Sequence, residues 1–505
     1  MKVGGIYNCC FDDNCKEEFM SHVAIVKRKV YEYCVSDTFR PSQRYPEYPF
    51  EEIADSENAV YDMVRETFYT MKLDYDNYGK ENWNPLKKYV SPGDVVLLKP
   101  NFVMDYNRSG EGTDCLYTQP SIVAAVIDYV VIALNGKGTI IVGDAPMQEC
   151  DFEKLMMNSG YDRLNEYYKE KLENRISFEF ADFRAVKSIV KNGVHYYQEQ
   201  DNSNVVIDLG KDSEFAELSH QQYNNLRITN YDPGLLKKHH NEEKNEYCIS
   251  KILLNADVII NLPKPKTHRK AGVTIGLKNI VGISARKEYL PHHMNGAMEN
   301  KGDEYLHKSF IKCVLNYCLD RKNYYSQTAK NYSLSKVIIG FVNILCILKE
   351  RFQKDPYFEG SWYGNDTICK TIVDLNKILF YADKNGRMCM NRQRKYFVLA
   401  DMIISGEKEG PVAPSPKRVG IIAMGDNPVS FDETIATLMG AIIDKIPTLH
   451  YARNAKRYNL IDKKDTTEIY SNVTEFNNKS ISEISTKDYL YFVPTSGWKE
   501  AFYTR

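Results

Sequence analysis

The residues best suited to chemistry lie in one run, PKPKTH at 263–268, followed at once by Arg269 and Lys270. Lys278 and Asn279 come a short way on. Five cationic or protonatable side chains (Lys264, Lys266, His268, Arg269, Lys270) fall within seven positions. Such a run repels itself unless an anion is near. Lysines bind phosphate or carboxylate as point charges, and a lysine or histidine in a non-aqueous setting titrates near neutral pH. Lys266 and His268 are therefore the expected proton carriers.

The segment before the run explains why it reads as a site. Val258, Ile259, Ile260 and Leu262 form a short apolar stretch, and Pro263 and Pro265 end it. This predicts a buried strand with cations at its C-terminal end, where ligands bind in open α/β sheets. The pattern recurs. Four apolar stretches end in short polar loops: LLKPN, IIVGDAP, IINLPKPKTH and IIAMGDNP. Lying along one edge of a parallel sheet, they gather Lys99, Asn101, Asp144, Lys264, Lys266, His268, Asp426 and Asn427 on one rim. Lys99, Asn101, Lys264, Lys278, Asn279 and Asn427 are then the expected substrate contacts. Asp144, Asp366 and Asp426 are the expected metal or substrate ligands, with Mg²⁺ the natural cation for carboxylates. Trp362 and Trp498 are available to stack on a sugar face. For any one such strand-end loop taken alone, ordinary turn chemistry is the favoured explanation. His292, His293 and His307 match no metal-ligand spacing and read as surface or packing residues.

Composition narrows the classes. The 505 residues carry 66 Lys and Arg against 67 Asp and Glu, so no global basic field exists to hold nucleic acid. The twelve cysteines include no CxxC pair and no ferredoxin-type run, so no iron–sulfur cluster is expected. Cys9, Cys10 and Cys15 read as free thiols, with a zinc site as the alternative. No apolar core resembling a signal peptide begins the sequence, which leads to a cytoplasmic, reducing location as the expectation. Walker A, GxGxxG, HExxH and GxSxG motifs are missing from the sequence, against P-loop, typical dinucleotide, zincin and α/β-hydrolase readings. The longest apolar run, VIIGFVNILCIL at 337–348, is too short to span a bilayer. It reads as a buried helix, with a helix lying weakly on a membrane surface as the alternative.

The elements that must position the site follow from periodicity. Strands are expected at 23–26, 95–98, 139–142, 258–262, 397–404 and 419–423. Helices are expected at 56–71 with Ser56 as cap, 120–134 with Pro120 at its first turn, 151–159, 305–320, 334–352, 366–381 and after Ser430 in a capping box with Glu433. Strand and helix alternate, so the fold class is α/β, with a mixed, mainly parallel sheet flanked by helices. Short β-like pieces between 171 and 245 predict a β-rich insertion. The chain then divides into a strand–helix segment (1–90), the first part of the core (91–170), the insertion (171–245), the second part of the core (246–445, with a helical segment 305–382) and a C-terminal extension (446–505).

Several motifs, taken in order, carry a family resemblance. KPN at 99–101, PKPKTH at 263–268, GLKNIVGI at 276–283, GEKEGP at 406–411 and GDNPVSFDETIATLMG at 425–440 resemble the domain-of-unknown-function 362 family. SWYGNDT at 361–367 and PTSGWK at 494–499 are similar to a longer subtype that lacks the ferredoxin module. Members often show Thr-His-Pro where this chain has Thr118-Gln119-Pro120, and glutamine cannot serve as an acid or base. The resemblance implies, for the longer subtype, a link to surface-polysaccharide biosynthesis, and, for iron–sulfur relatives, a redox role.

The resulting expectation is an enzyme that binds an anionic sugar-type small molecule, phosphorylated or carboxylated, at a Lys/Asp-lined strand-end site. No nucleic-acid partner and no membrane-spanning segment are expected. A redox or cofactor-handling protein and a non-catalytic binding or assembly protein are the alternatives.

Overall fold

A computed structural model describes residues 20–33, 39–173, 175–352 and 355–504. The cysteines at 9, 10 and 15 lie outside the described residues.

Two-sided apolar stretches build the centre of the molecule. The strands are β1 (Met20–Lys27), β2 (Val95–Pro100), β3 (Thr139–Asp144), β4 (Ser177–Asp182), β5 (Val258–Leu262), β6 (Lys266–His268), β7 (Gly272–Thr274), β8 (Lys395–Glu409), β9 (Ala413–Gly425) and β10 (Thr466–Ser471). Eight of them run across the sheet in the order β10-β1-β9-β8-β5-β2-β3-β4, and β6 and β7 attach at the edge of β8. Successive residues of one strand enter different cores, as the period of two requires. Val258, Ile260 and Leu262 join one core, while Ile259 joins the other. Both faces are therefore covered, which is why these strands read as unbroken apolar runs. Helices α1 (Ala59–Thr70) and α2 (Pro120–Leu134) cover one face. Helices α5 (Thr367–Tyr381) and α6 (Pro428–Met439) cover the other. Between them in sequence, α3 (Phe310–Gln327) and α4 (Tyr332–Phe352) form a helical hairpin.

The mixed, mainly parallel sheet flanked by helices is as expected. Strand direction differs in two places: β7 runs antiparallel to β6, and β9 reverses within the main order. β9 runs antiparallel to both β8 and β1, because a ladder of eleven residue pairs between Val398 and Glu409 folds β8 and β9 into a long hairpin. Its C-terminal end, Gly425, sits opposite Val398 and Val23, at the start of β8 and β1. The region expected as a β-rich insertion opens with β4, which pairs with β3 in the main sheet. The rest forms a hairpin (Val186–Lys191 with Val194–Glu199) and a strand Asn204–Asp208 that returns beside Glu246–Ser250.

Four local expectations change. Helix α1 is capped by Asn58, whose side chain accepts from Tyr61 N–H, and not by Ser56. Pro428 fixes the first turn of α6, so Asn427 is the cap and Ser430 lies inside the helix. Glu433 is then turned to Arg453 instead of a capping box. Helix α4 begins at Tyr332, and the stretch 321–327 that reads as a loop completes α3. Contrary to the expected buried helix, α4 buries only Ser335.

Candidate functional site

The floor of the site is set by register. Lys99 on β2 and Asn261 on β5 are ladder partners, so both side chains leave the same face at the C-terminal end of the sheet. Asn279 ties them together: its Nδ2 donates to Asn261 Oδ1 at 2.8 Å and to the Lys99 carbonyl at 3.2 Å. Gly276 and Leu277, which open the short helix carrying Lys278 and Asn279, donate their N–H groups to Asp432 on α6. Lys99 is fully buried and meets Asp144 at 2.8 Å. Asp144 also accepts from the N–H groups of Phe102 and Ala145. Burial pushes Lys99 down and Asp144 up, and their mutual attraction opposes both shifts.

The cations of the PKPKTH run go to different partners. Lys264 points away from the cavity into a fully buried pair with Asp401 at 2.9 Å and a bond to Tyr33 Oη at 2.6 Å. It is consumed by the fold, which corrects its assignment as a substrate contact. Lys266 is also fully buried, but its partners are neutral: Asn101 Oδ1 at 2.8 Å and the Leu116 carbonyl. Burial without a carboxylate partner lowers Lys266 to about 7. His268 accepts the N–H groups of Lys270 and Ala271 on Nδ1, each at 3.1 Å. That fixes the proton of the neutral ring on Nε2. Burial and the surrounding lysines hold His268 well below its ordinary value, so it is a neutral hydrogen-bond donor and not a cationic acid.

A cavity of about 270 Å³ opens above this floor. Asn101, Asp144, His268, Lys278 and Asn279, all named from the sequence, line it. Sequence reasoning left Lys270, Lys287 and His292 without a role here, yet they line it too. Arg269 and Arg108 bring the cations on the wall to five, against the carboxylates Asp144 and Glu149. Glu149 is paired with Arg108 at 2.6 Å. Lys278 Nζ has no hydrogen-bond or ion-pair partner among the described residues. Burial first, then the neighbouring Lys99, lowers it to about 8. Lys270 is lowered to about 8 and Lys287 to about 7, mainly by burial. Their bonds go to neutral atoms: Thr229 Oγ1 and the Glu359 carbonyl for Lys270, the Ala145 carbonyl for Lys287. Thr274 Oγ1, Asn279 Oδ1 and His292 Nδ1, all on lining residues, are buried without a partner among the described residues. The site thus presents one ammonium group without a partner among the described residues, on Lys278, together with unspent neutral polar atoms.

Other expected residues lie elsewhere. The reversal of β9 carries Asp426 to the opposite edge of the sheet, where it meets His22 Nδ1 at 3.3 Å. Asn427 is spent as the cap of α6. Asp366, at the start of α5, pairs with Lys370 at 2.6 Å and accepts from Tyr451 Oη. The three aspartates expected as metal ligands are therefore not brought together. Among the described residues, no three His, Cys, Asp or Glu side chains gather as a metal site. Trp362 and Trp498 are buried, and their ring N–H groups donate to the carbonyls of Asp303 and Arg269. They are core residues and offer no face to a sugar. His293 is buried, and only His307 of the three lone histidines is a surface residue.

Fold and site together define a mixed α/β protein with a lysine-walled cavity at the C-terminal edge of its parallel strands. The chain belongs to the family described as Domain of unknown function (DUF362), whose model matches residues 96–211 and 198–437. The Thylakoid-associated protein sll1697 of Synechocystis sp. (strain ATCC 27184 / PCC 6803 / Kazusa) is similar, at 28% identity over 211 residues. That match covers 42% of this chain and 46% of the relative, so the chain spans about half the length of that curated relative.

Proposed function

We propose that this protein is an enzyme acting on an anionic small molecule, phosphorylated or carboxylated, held in the cavity by Lys278, Lys270 and Lys287. The observation that carries the reading is Lys278: a cation on the cavity wall with no partner among the described residues. An unpaired ammonium held in the protein is costly, and a bound anion removes that cost. His268 supplies a neutral N–H for a substrate oxygen. Lys278, near 8, is placed to exchange a proton with the bound molecule. Lys266 stands behind Asn101 and sets the orientation of that side chain. A sugar-type substrate is in keeping with the neutral polar atoms beside the lysines, which match hydroxyl groups.

A thermal-shift and calorimetric screen tests this, using inorganic phosphate, sugar phosphates, sugar nucleotides and hydroxy acids, each with and without Mg²⁺. Ligand at about 100 times its dissociation constant stabilises the fold by roughly 2.7 kcal/mol. A response to phosphorylated or carboxylated sugars that is lost in Lys278→Met supports the reading. A response to none of them sinks it and leaves an assembly role.

A further inference from the structure

The helical hairpin α3–α4 carries an apolar surface with no partner among the described residues. On α4, Leu334, Val337, Phe341, Ile344 and Leu348 recur at spacings of three and four, so they form one stripe. Phe341 is 60% exposed, Ile344 57% and Ile347 65%. Those are values for free side chains, not for packing residues. Helix α3 adds Phe310, Tyr317 and Tyr324, spaced by seven, all exposed. The β-hairpin tip beside Gly193 touches Ile339, and Ile189 and Val190 on it are exposed as well. An apolar patch this extended marks an interaction surface.

Charge identifies the occupant. Between residues 308 and 352 there are eight Lys and Arg against two Asp and Glu, in a chain whose formal net charge is −1. Asp320 is paired with Arg227, which leaves Glu350 as the one acidic side chain of this segment outside such a pair. Lys308, Arg321, Lys330, Lys336 and Arg351 are exposed around the apolar face. Exposed aliphatic and aromatic groups rimmed by basic residues and tyrosines suit the interface of an anionic lipid bilayer.

Anchoring decides how the hairpin would lie. Helix α3 is bound to the body along its whole length. Lys312 meets Asp355, Asn316 donates to Glu304, Arg227 meets Asp320, and Asn323 donates to the Tyr231 carbonyl. Helix α4 returns along α3 and is tied to it where Ser335 Oγ donates to the Lys322 carbonyl. Although α4 is long and apolar enough by length and composition to cross a membrane, it runs back along α3 and is tied to it at Ser335. We infer that the α3–α4 hairpin docks this protein on the surface of an anionic membrane, with the Phe341–Ile344 face in the interfacial layer and the basic rim on the head groups. The cavity lies near α3, since Tyr231 lines it and Asn323 of α3 donates to the Tyr231 carbonyl.

The test is flotation of the full chain with vesicles of phosphatidylcholine, and with vesicles of equal parts phosphatidylcholine and phosphatidylglycerol. The expected result is binding to the anionic vesicles, about tenfold weaker on phosphatidylcholine alone and reduced by salt. Phe341→Glu/Ile344→Glu should lose it, and Lys336→Glu/Arg351→Glu should weaken it by about tenfold. All four positions are exposed, so thermal melting of these variants should match the parent and report folding independently. Parent protein that stays at the bottom of the gradient with both vesicles overturns the inference, as does binding that Phe341→Glu/Ile344→Glu leaves intact. Self-association dispersed by that double variant, without vesicle affinity, assigns the face to a second copy and also overturns it.

Discussion

A Cβ added to Gly282 would lie 1.7 Å from Asp144 Oδ1 and 2.9 Å from Lys99 Nζ. The loop after the Lys278 helix therefore closes directly onto the buried Lys99–Asp144 pair. Its carbonyl also accepts from Ala145 N–H at 2.9 Å, which fixes the end of β3. A Gly282→Ala protein must displace either the carboxylate or the loop. Breaking a buried pair costs about 3–5 kcal/mol. The expected outcome is a lower midpoint in chemical denaturation together with loss of ligand response. An unchanged midpoint would mean that the loop moves freely, and the floor would not be rigid.

Replacing Lys278 separates binding from folding. Its ammonium has no partner among the described residues, so Lys278→Met should leave denaturation unchanged or raise the midpoint slightly. Anion affinity should fall by at least tenfold, about 1.4 kcal/mol. Calorimetric titration with the best anion from the screen reads this directly.

Protons should accompany the anion. On the cavity wall, Lys287 is lowered to about 7, and Lys270 and Lys278 to about 8, each mainly by burial. An anion beside them favours their charged forms, so binding takes up protons near pH 8 and weakens as pH rises further. Calorimetry in two buffers of different ionisation enthalpy measures the uptake. The sign for stability is opposite. Unfolded lysine holds its proton to about 10.4 and the folded groups do not, so the unfolded chain binds more protons between about pH 7 and 10. The empty protein should therefore gain stability from these groups across that window, and Lys287→Met should flatten the gain.

Asp401 is the test of the cation that the fold consumes. It holds Lys264 at 2.9 Å and also accepts from Tyr33 Oη and Gln119 N–H. Asp401→Asn leaves a buried ammonium beside a neutral amide. The expected loss is about 3–5 kcal/mol of stability, read by urea denaturation. A partner change, Lys264→Met with Asp401→Leu, should recover part of it.

The sheet and most helices were legible because their signals are local. Apolar runs buried on both faces mark parallel strands, and a spacing of 3.6 marks helices. Lys99, Asn101, Asp144 and His268 lie near one another because parallel strand ends share an edge, and Lys278 and Asn279 reach the same place from a short helix. Asp426 and Asn427 were misplaced because the apolar run 419–423 carries no sign of its direction. Lys264 and Asp401 are 137 positions apart, so the neutralising partner of one cation was hidden in another strand. Lys287 and His292 reach the cavity through loops, which have no period to read. Helix α4 misled in the opposite sense: hydropathy reports affinity for an apolar phase, not whether that phase is the protein's own interior.

The position of β1 has a consequence for biosynthesis. Its neighbours in the sheet are β9 and β10, which begin at Ala413 and Thr466. On the ribosome, the Val23–Val26 segment must wait for nearly 400 further residues before either edge can pair. At translation speeds of about 5–20 residues per second, that interval is roughly 20–80 s. A nascent chain holding an unpaired apolar strand for so long is a natural client for chaperones, and expression of this protein should be sensitive to their supply.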